Sequence, residues 1–319
     1  MRVLVTGARG HVATLARAGL GQRHDLSLVD VRAQTAETAA GAVHGVDLLR
    51  ASDDELRPLF DGVEVVVHSA YVPSGATDVY SASPPQLDRL ETELDNVRMA
   101  GRVYQHALQA GCRRVVVVSS NHAGDWYEHM QVHARRRELV GPGDLPLSDN
   151  FYGWSKAAYE LLGHPFAAGA LGRALEVVLL RIGSPYPIHP ERYAPGAPPP
   201  KGDLPRPTGA AGFKRALGAF LSERDCGQLF RRAVEVERVV PQGQVPWVVV
   251  YGISDNTRAF WSLQSARDAL GYAPQDDSEV LYADAVRELL ADSVPGRLGG
   301  SGPFLPAYGI GGTSAGLPG

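Results

Sequence analysis

A tyrosine and a lysine one helical turn apart are the residues of this 319-residue chain best suited to acid–base chemistry. They are Tyr152 and Lys156 in the string YGWSK, and their spacing places both side chains on one face of a helix. An ammonium group beside a phenol favours the phenolate, so the pair predicts a tyrosine pKa lowered from its usual value toward neutrality. Such a phenolate can take a proton from an alcohol, and the Ser120 hydroxyl is predicted to hold the substrate oxygen.

Alternating apolar and amphipathic stretches predict the elements that position these residues. Apolar runs predict six strands, at 3–5, 26–29, 42–46, 63–67, 115–118 and 177–182. The stretches between them predict helices at 12–20, 52–60, 87–110 and 150–162, while 31–41 is expected to be helix or loop. This alternation predicts an α/β fold with a Rossmann-type doubly wound parallel sheet. Asn96, inside the third helix, is expected to be exposed unless it faces the sheet, because polar helix residues usually are exposed.

The first strand leads into a glycine turn that is typical of dinucleotide binding. Gly7 and Gly10 precede the first helix, where glycine permits a tight turn and lets backbone N–H groups approach a phosphate. Asp30 ends the second strand, and its carboxylate can accept hydrogen bonds from an adenosine ribose. The order of these features predicts NAD as the cofactor. The alternative is an ordinary strand–helix turn that binds no ligand.

The chain is predicted to divide into three regions. Residues 1–183 form the NAD-binding domain, and 184–298 form a small C-terminal substrate-binding part that is interleaved with it. That part begins with a Pro-, Gly- and Ala-rich stretch, 185–207. It continues with predicted helices at 213–221, 225–234, 262–270 and 279–290 and a strand at 247–253. Residues 299–319 are a Gly/Pro-rich tail without a core pattern.

Composition and charge argue against several classes of partner. A formal net charge of -4 gives no reason to expect nucleic acid, and no apolar run approaches the roughly 20 residues of a membrane span. Cys112 and Cys226 lack metal-ligand spacing and suit a reducing compartment. Because the N-terminus is already the first strand, no signal peptide is expected, and a cytoplasmic location is predicted. His129 and His133 are four residues apart without a third ligand, so no metal is predicted.

These strings together resemble the extended short-chain dehydrogenase/reductase superfamily, the group of NAD-dependent sugar epimerases and dehydratases. The matching strings are TGARGHVA, VVVHSA, SSNH, YGWSK, LLRIGS and ALGYAP. The resemblance implies a set of NAD contacts at the glycine turn, the strand ends and the YGWSK helix: Gly7, Arg9, Gly10, His11, Val12, Asp30, Asp47, Leu48, Ser69, Ala70, Tyr152, Lys156 and Ile182. Asp47 would lie near the adenine amine, and a plain turn or N-cap role is the equal alternative.

Within that superfamily the chain is most similar to uronate dehydrogenases, which oxidise the C1 hemiacetal of glucuronate or galacturonate to an aldaro-lactone with NAD. The strings SSNHAGDWY, RIGS and KRALGAFLSERD carry this likeness. It implies Ser120, Tyr152 and Lys156 as catalytic residues. It also implies substrate contacts from Ser74, Ser120, Asn121, His122, Tyr152, Ser184 and Arg215.

Arg215 has the position from which that family holds the substrate carboxylate. An arginine fork suits this task because two parallel N–H bonds meet the two carboxylate oxygens. Neutral aldoses are accordingly expected to be poor substrates. The alternative is that Arg215 is a solvated arginine on a helix surface beside Lys214.

Two other functions remain open. An epimerase or dehydratase of nucleotide-linked sugars would use the same NAD, tyrosine and lysine without net redox. It would need donors for a diphosphate, and the chain offers Lys201, Arg206, Arg231 and Arg232. A non-catalytic NAD-binding regulator is the third function, and it would not need the catalytic tyrosine, lysine and serine together. The predicted partner is a sugar or sugar acid, and the oligomeric state is left open, with a homodimer as one form.

Overall fold

An eight-stranded sheet organises the fold. The computed structural model describes residues 1–21, 23–38, 41–73, 86–198, 208–239 and 245–293. The strands are β1 (Arg2–Thr6), β2 (Asp25–Asp30), β3 (Gln34–Thr38), β4 (Gly41–Gly45), β5 (Val65–His68), β6 (Arg114–Ser120), β7 (Glu176–Ile182) and β8 (Trp247–Gly252). Their order is β3-β4-β2-β1-β5-β6-β7-β8, and every neighbouring pair is parallel except β3 with β4. The predicted Rossmann-type sheet is confirmed. Its strand order reverses between β1 and β5, which is where dinucleotides bind in such sheets.

Helices cover both faces of the sheet. They are α1 (His11–Leu20), α2 (Asp53–Leu56), α3 (Gln86–Gln109), α4 (Asp125–Tyr127), α5 (Phe151–Ala167), α6 (Gly209–Ala219), α7 (Glu223–Glu235), α8 (Gln264–Leu270), α9 (Ser278–Leu281) and α10 (Ala283–Leu290). Successive side chains of a strand point to opposite faces. Val3 and Val5 therefore join the core under α1, α7 and α8, while Leu4 joins the core under α3 and α5.

The C-terminal part adds an edge strand and a small helical layer. β8 pairs in parallel with β7 and extends the sheet. A third apolar cluster, which includes Phe213, Leu217 and Leu290, holds α6 against α10. Among the residues that the structure describes, no helix is long and apolar enough to cross a membrane.

Two expectations about local structure were wrong. Residues 34–38 form β3, a strand antiparallel to β4, and not a helix or loop. The stretch has no apolar periodicity of its own, so its conformation depends on pairing with β4. Asn96 is 1% exposed and not on the surface. Its Oδ1 accepts from the Val72 N–H at 2.8 Å and its Nδ2 donates to the Val72 carbonyl at 3.0 Å. Asn96 therefore fixes the backbone just after β5.

Candidate active site

Ser120 and Tyr152 meet at the carboxyl edge of the sheet from two different elements. Ser120 is the last residue of β6, and its Oγ accepts a hydrogen bond from the His122 N–H at 3.2 Å. The Ser120 hydroxyl is also hydrogen bonded to Tyr152, which lies in the first turn of α5. The structure thus brings together the predicted serine and the predicted tyrosine, although 32 positions of sequence separate them (152 − 120).

The start of α5 is held tightly against the turn that follows β6. Asn150 caps the helix, because its Oδ1 accepts from the Gly153 N–H at 2.8 Å. A Cβ on Gly153 would lie 2.0 Å from the His122 carbonyl oxygen, so a glycine is required for this approach. The glycine of YGWSK therefore sets how closely Tyr152 approaches the residues after β6.

Lys156 lies one turn further along α5 and is 5% exposed. Its Nζ is 5.2 Å from the centre of the Tyr152 ring and 3.5 Å from the Val118 carbonyl oxygen. Burial lowers the pKa of Lys156 to about 8, against the opposing charges of Glu93 and Glu160. The ammonium is therefore easier to deprotonate than an ordinary lysine, while it remains close to the phenol.

The predicted lowering of the Tyr152 pKa is wrong for the protein by itself. Burial raises the pKa of Tyr152 to about 12, and the carboxylates of Glu93 and Asp125 add to the rise. The hydrogen bond with Ser120 acts in the opposite direction but is outweighed. Spacing alone could not reveal this, because the cost of burying a phenolate depends on the whole surrounding fold.

His122 is oriented by a fully buried aspartate. Its Nδ1 lies 2.9 Å from Asp125 Oδ2, and its ring packs edge-on against the Tyr152 ring at 5.7 Å between centres. Asn150 Nδ2 donates to the same Asp125 oxygen at 2.8 Å. One carboxylate thereby connects the predicted substrate histidine to the residue that caps α5.

Arg215 reaches the same edge from α6. With its amide oriented to satisfy both neighbours, Asn121 donates to the Ile182 carbonyl at 3.0 Å and accepts from Arg215 Nη2 at 3.2 Å. The guanidinium also makes an ion pair with Glu128, from Nε to Oε1 at 2.9 Å and from Nη2 to Oε2 at 3.3 Å. The alternative of a freely solvated arginine is wrong, because the Arg215 side chain is only 24% exposed and is paired.

Ser184 lies just beyond β7, past the carboxyl end of the strand. Its N–H donates to the Ala219 carbonyl at 2.6 Å, and its carbonyl accepts from the Leu221 N–H at 2.9 Å. These bonds connect the end of β7 to the end of the Arg215 helix. Ser74, the remaining predicted substrate residue, lies outside the described residues.

The glycine turn forms a close-packed cradle beside these groups. Gly7 has a φ of 63° and lies close to the residues that follow β5. A Cβ on Gly7 would be 2.5 Å from Ala70 Cα and 2.8 Å from the Ser69 carbonyl carbon. Gly10 is the N-cap of α1, so the helix N-terminus opens toward this turn. A turn without side chains at a helix N-terminus is the environment that a pyrophosphate needs. The residues present therefore fit NAD.

Asp30 faces the same turn. Its carboxylate accepts from the Arg9 N–H at 3.1 Å and from the Arg32 N–H at 3.2 Å. The residue is 9% exposed. Two backbone donors thus hold the carboxylate at the end of β2, where the ribose of a dinucleotide is expected.

Replacing Asp30 by alanine is expected to reduce the preference for NAD over NADP by about tenfold or more, because the carboxylate would repel a ribose 2′-phosphate. The measurement is the ratio of kcat/KM for the two cofactors. Asp25→Ala, an exposed aspartate at the other end of β2, is the matched control. An unchanged ratio in Asp30→Ala would show that Asp30 does not contact the ribose.

The other predicted cofactor residues lie around the turn. Val12 is part-buried in the first turn of α1, and Leu48 and Ile182 are buried. The His11 ring stacks on Tyr186 at 4.3 Å and its Nε2 lies 2.6 Å from the Pro185 carbonyl oxygen, so it joins the turn to the segment after Ser184. Asp47 accepts from the N–H groups of Leu49 and Arg50, which is the turn role; its adenine role stays a prediction.

A buried group of carboxylate and imidazole side chains with metal-ligand spacing occurs near the site. Ligand atoms of Asp125, Glu128 and His129 lie within 4.8 Å of one another. Each, however, has a protein partner: Asp125 contacts His122, Glu128 contacts Arg215, and His129 Nδ1 lies 2.5 Å from Asp149 Oδ2. His133 Nε2 lies 3.3 Å from Glu128 Oε1, so it joins the same group. The group is a network of hydrogen bonds.

Sequence reasoning missed the carboxylates that support the site. Asp125 is three residues after His122, so a short-range signal was present. Glu93 is fully buried and accepts from the hydroxyls of Tyr71 and Ser155, each at 2.6 Å. Glu93 and Glu128 had no local signal, because Ser155 and Arg215, which they contact, are 62 and 87 positions away in the chain.

Comparison with known proteins shows the family. The model of the NAD dependent epimerase/dehydratase family matches residues 3–196. The chain belongs to this family. The predictions of an extended short-chain dehydrogenase/reductase and of NAD as its cofactor are thereby confirmed.

Several curated relatives are sugar dehydrogenases. An NAD-dependent glucose-6-phosphate dehydrogenase and an L-arabinose 1-dehydrogenase (NAD(P)(+)), both from Haloferax volcanii, are each 30% identical; they cover 86% and 87% of this chain and 94% and 97% of their own length. A uronate dehydrogenase of Pseudomonas syringae pv. tomato is 29% identical over 95% of this chain and 93% of its own length. The chain is therefore an oxidoreductase of the sugar-dehydrogenase type.

The fold is shared with a solved enzyme. The structure of uronate dehydrogenase from Agrobacterium tumefaciens, in a mutant form complexed with NAD, matches with a TM-score of 0.65 at 22% identity. The match covers 92% of this chain and 90% of that one.

Proposed function

We propose that the protein oxidises the C1 hemiacetal of a sugar or sugar acid to a lactone, with NAD, and that uronates are among its substrates. The observation that carries this proposal is the convergence of Ser120, Tyr152 and Lys156 with Asn121 and Arg215 at one sheet edge, beside the glycine turn. The group combines a base, an oxygen-holding hydroxyl and a cation for an acidic substituent.

The roles follow from the geometry. Ser120 holds the C1 hydroxyl, and Tyr152, within hydrogen-bond reach of Ser120, accepts the proton from it. The C1 hydrogen leaves with its electron pair as the C1–O bond becomes the lactone carbonyl. When bound, NAD would supply the hydride acceptor. Lys156 adds a positive charge on the same face of α5, which favours the phenolate against the burial that raises the Tyr152 pKa.

Arg215 supports the uronate form of the proposal. It lies one hydrogen bond from Asn121, and Asn121 is next to Ser120 in the chain. A sugar with its C1 at Ser120 therefore extends toward a guanidinium.

Three other expectations from the sequence stay predictions. They are the cytoplasmic location, the homodimer, and the division into functional regions near residue 183.

The alternative of a nucleotide-sugar epimerase gains no support from the described residues. Lys201 and Arg206 lie outside them. Arg231 lines a groove of about 860 Å³ between α1 and α7, with Gly19 and Arg23, so it is not among the groups around Tyr152.

The deciding measurement is a substrate panel. NADH formation is expected with free uronates or free aldoses. No NADH formation is expected with nucleotide-linked sugars, because their C1 oxygen is bonded to the diphosphate and has no hydroxyl proton to lose. Isothermal titration with a nucleoside diphosphate is the companion assay, in which no tight binding is expected. Tight diphosphate binding without oxidation of any free sugar would contradict the proposal and favour the epimerase.

A further inference from the structure

The ion pair between Glu128 and Arg215 is an unusual feature of a site that should attract an anionic sugar. The Glu128 side chain is 3% exposed, and its two oxygens face Nε and Nη2 of the guanidinium. The Arg215 guanidinium also lies over the Trp261 ring, 5.7 Å from its centre. The Glu128 carboxylate and the Trp261 indole thus hold the Arg215 guanidinium in place.

Glu128 carries a full negative charge under ordinary assay conditions. Burial by itself would raise its pKa, but the charge of Arg215 and the hydrogen bonds from His133 and Arg215 hold the pKa of Glu128 well below its ordinary value. The guanidinium is always protonated in proteins. The formal charges of the pair therefore sum to zero. A substrate carboxylate at this place would be attracted by the Arg215 guanidinium and repelled by the Glu128 carboxylate.

A second carboxylate at Arg215 would lie close to the first. The Arg215 Nη2 atom that contacts Asn121 also contacts Glu128 Oε2, so the substrate side and the Glu128 side share one nitrogen. Two like charges around one guanidinium repel each other, and the repulsion is large where water is excluded. A neutral hydroxymethyl group at the same place has no such penalty and can still accept a hydrogen bond.

We propose that Glu128 is a specificity-determining residue that cancels the charge of Arg215, so that the site accepts neutral aldoses at least as well as uronates. The proposal rests on the proposed oxidation at C1 and names the substrate class of that site. It replaces the expectation from the sequence that neutral aldoses are poor substrates.

The test uses sugar pairs that differ only at C6: glucuronate against glucose, and galacturonate against galactose. In the unmodified protein, the kcat/KM ratio of uronate to aldose is expected to be near or below one. In Glu128→Gln the amide still contacts the guanidinium but carries no charge. The ratio should then rise about tenfold or more, mainly through a lower KM for the uronate.

Two further variants make the result specific. Glu235→Gln removes the charge of a glutamate on α7 that pairs with Arg23 and His24, and it should leave the ratio unchanged. Adding Arg215→Met to Glu128→Gln should abolish the gain for uronates, because the guanidinium that would attract the uronate carboxylate is then gone. Arg215→Ala alone is unsuitable, since it would leave the buried Glu128 without its partner.

Each outcome bears on one statement. The ratio of kcat/KM values measures how much more strongly the transition state of one sugar is bound than that of the other. A native protein that prefers uronates by about a hundredfold would overturn the role of Glu128 and leave C1 oxidation in place. A folded Glu128→Gln variant with an unchanged or lower ratio would do the same. If Glu128→Gln does not fold, the ratio of the native protein alone decides. Failure to oxidise any free sugar would instead overturn the proposed function, and the inference with it.

Discussion

The Tyr152→Phe variant is expected to lose turnover by a factor of about 100 or more while it still binds NAD, because it lacks only the oxygen that accepts the substrate proton. The phenyl ring can keep its packing against the rings of His122 and Tyr71, which lie edge-on at 5.7 and 5.5 Å. The cofactor turn around Gly7 is on a different element and is unaffected. The measurements are the rate of NADH formation and the Kd for NAD by titration.

Tyr159→Phe is the matched control for this variant. Tyr159 lies two turns along the same helix, close to Lys156, and its hydroxyl donates to the Val118 carbonyl at 3.1 Å. Removing this hydroxyl takes away one hydrogen bond but leaves Tyr152 and Ser120 in place. Much smaller loss is therefore expected. Near-normal turnover in Tyr152→Phe would rule out the phenol as the base.

The Arg181→Met variant is expected to lose about 3–5 kcal/mol of unfolding free energy, because it would leave the Glu160 carboxylate buried without its charge partner. Arg181 on β7 and Glu160 on α5 are 2% and 1% exposed, and Nε and Nη2 donate to the carboxylate at 2.9 and 2.7 Å. Burial lowers the pKa of Arg181, but the charge and hydrogen bonds of Glu160 raise it above its ordinary value. The measurement is equilibrium unfolding in urea.

The surrounding contacts explain why this pair should also affect the site. Ser119 on β6 donates to Glu160 at 2.5 Å, and Arg181 Nη1 contacts the Tyr251 hydroxyl on β8 at 3.1 Å. The network therefore anchors the helix of Tyr152 and Lys156 to three strands. The double variant Arg181→Met/Glu160→Leu is expected to recover much of the lost stability, because no charge remains buried. A loss below about 1 kcal/mol in the single variant would contradict this view of the pair.

The site was predictable wherever its residues are placed by local structure. Gly7, Gly10 and Asp30 follow directly from a strand, a tight turn and the next strand, and Tyr152 and Lys156 from one helical turn. Each of these relations spans a short stretch of chain, so the pattern of residue types is enough to place them. The edge at which they meet follows from parallel strands ending on the same side.

The electrostatic state of the site was not predictable in this way. The Tyr152 pKa is raised because the phenol is buried near the carboxylates of Glu93 on α3 and Asp125 on α4. Burial is a property of the packed molecule, and the charges that act on a group come from distant positions in the chain. The same reason explains why Asn96, a polar residue on a helix, proved to be a buried support for Val72.

The sequence alone predicted the Rossmann-type sheet, the glycine turn for NAD, and the serine, tyrosine and lysine of the candidate site. Each of these features depends on the order of neighbouring residues. The tertiary structure alone decided that β3 forms by pairing with β4, that Asp125 orients His122, and that Glu128 makes an ion pair with Arg215. These features depend on contacts between elements, and Glu128 and Arg215 are 87 positions apart. Folding brings them within hydrogen-bond distance in a buried place, where one charge strongly alters the effect of another.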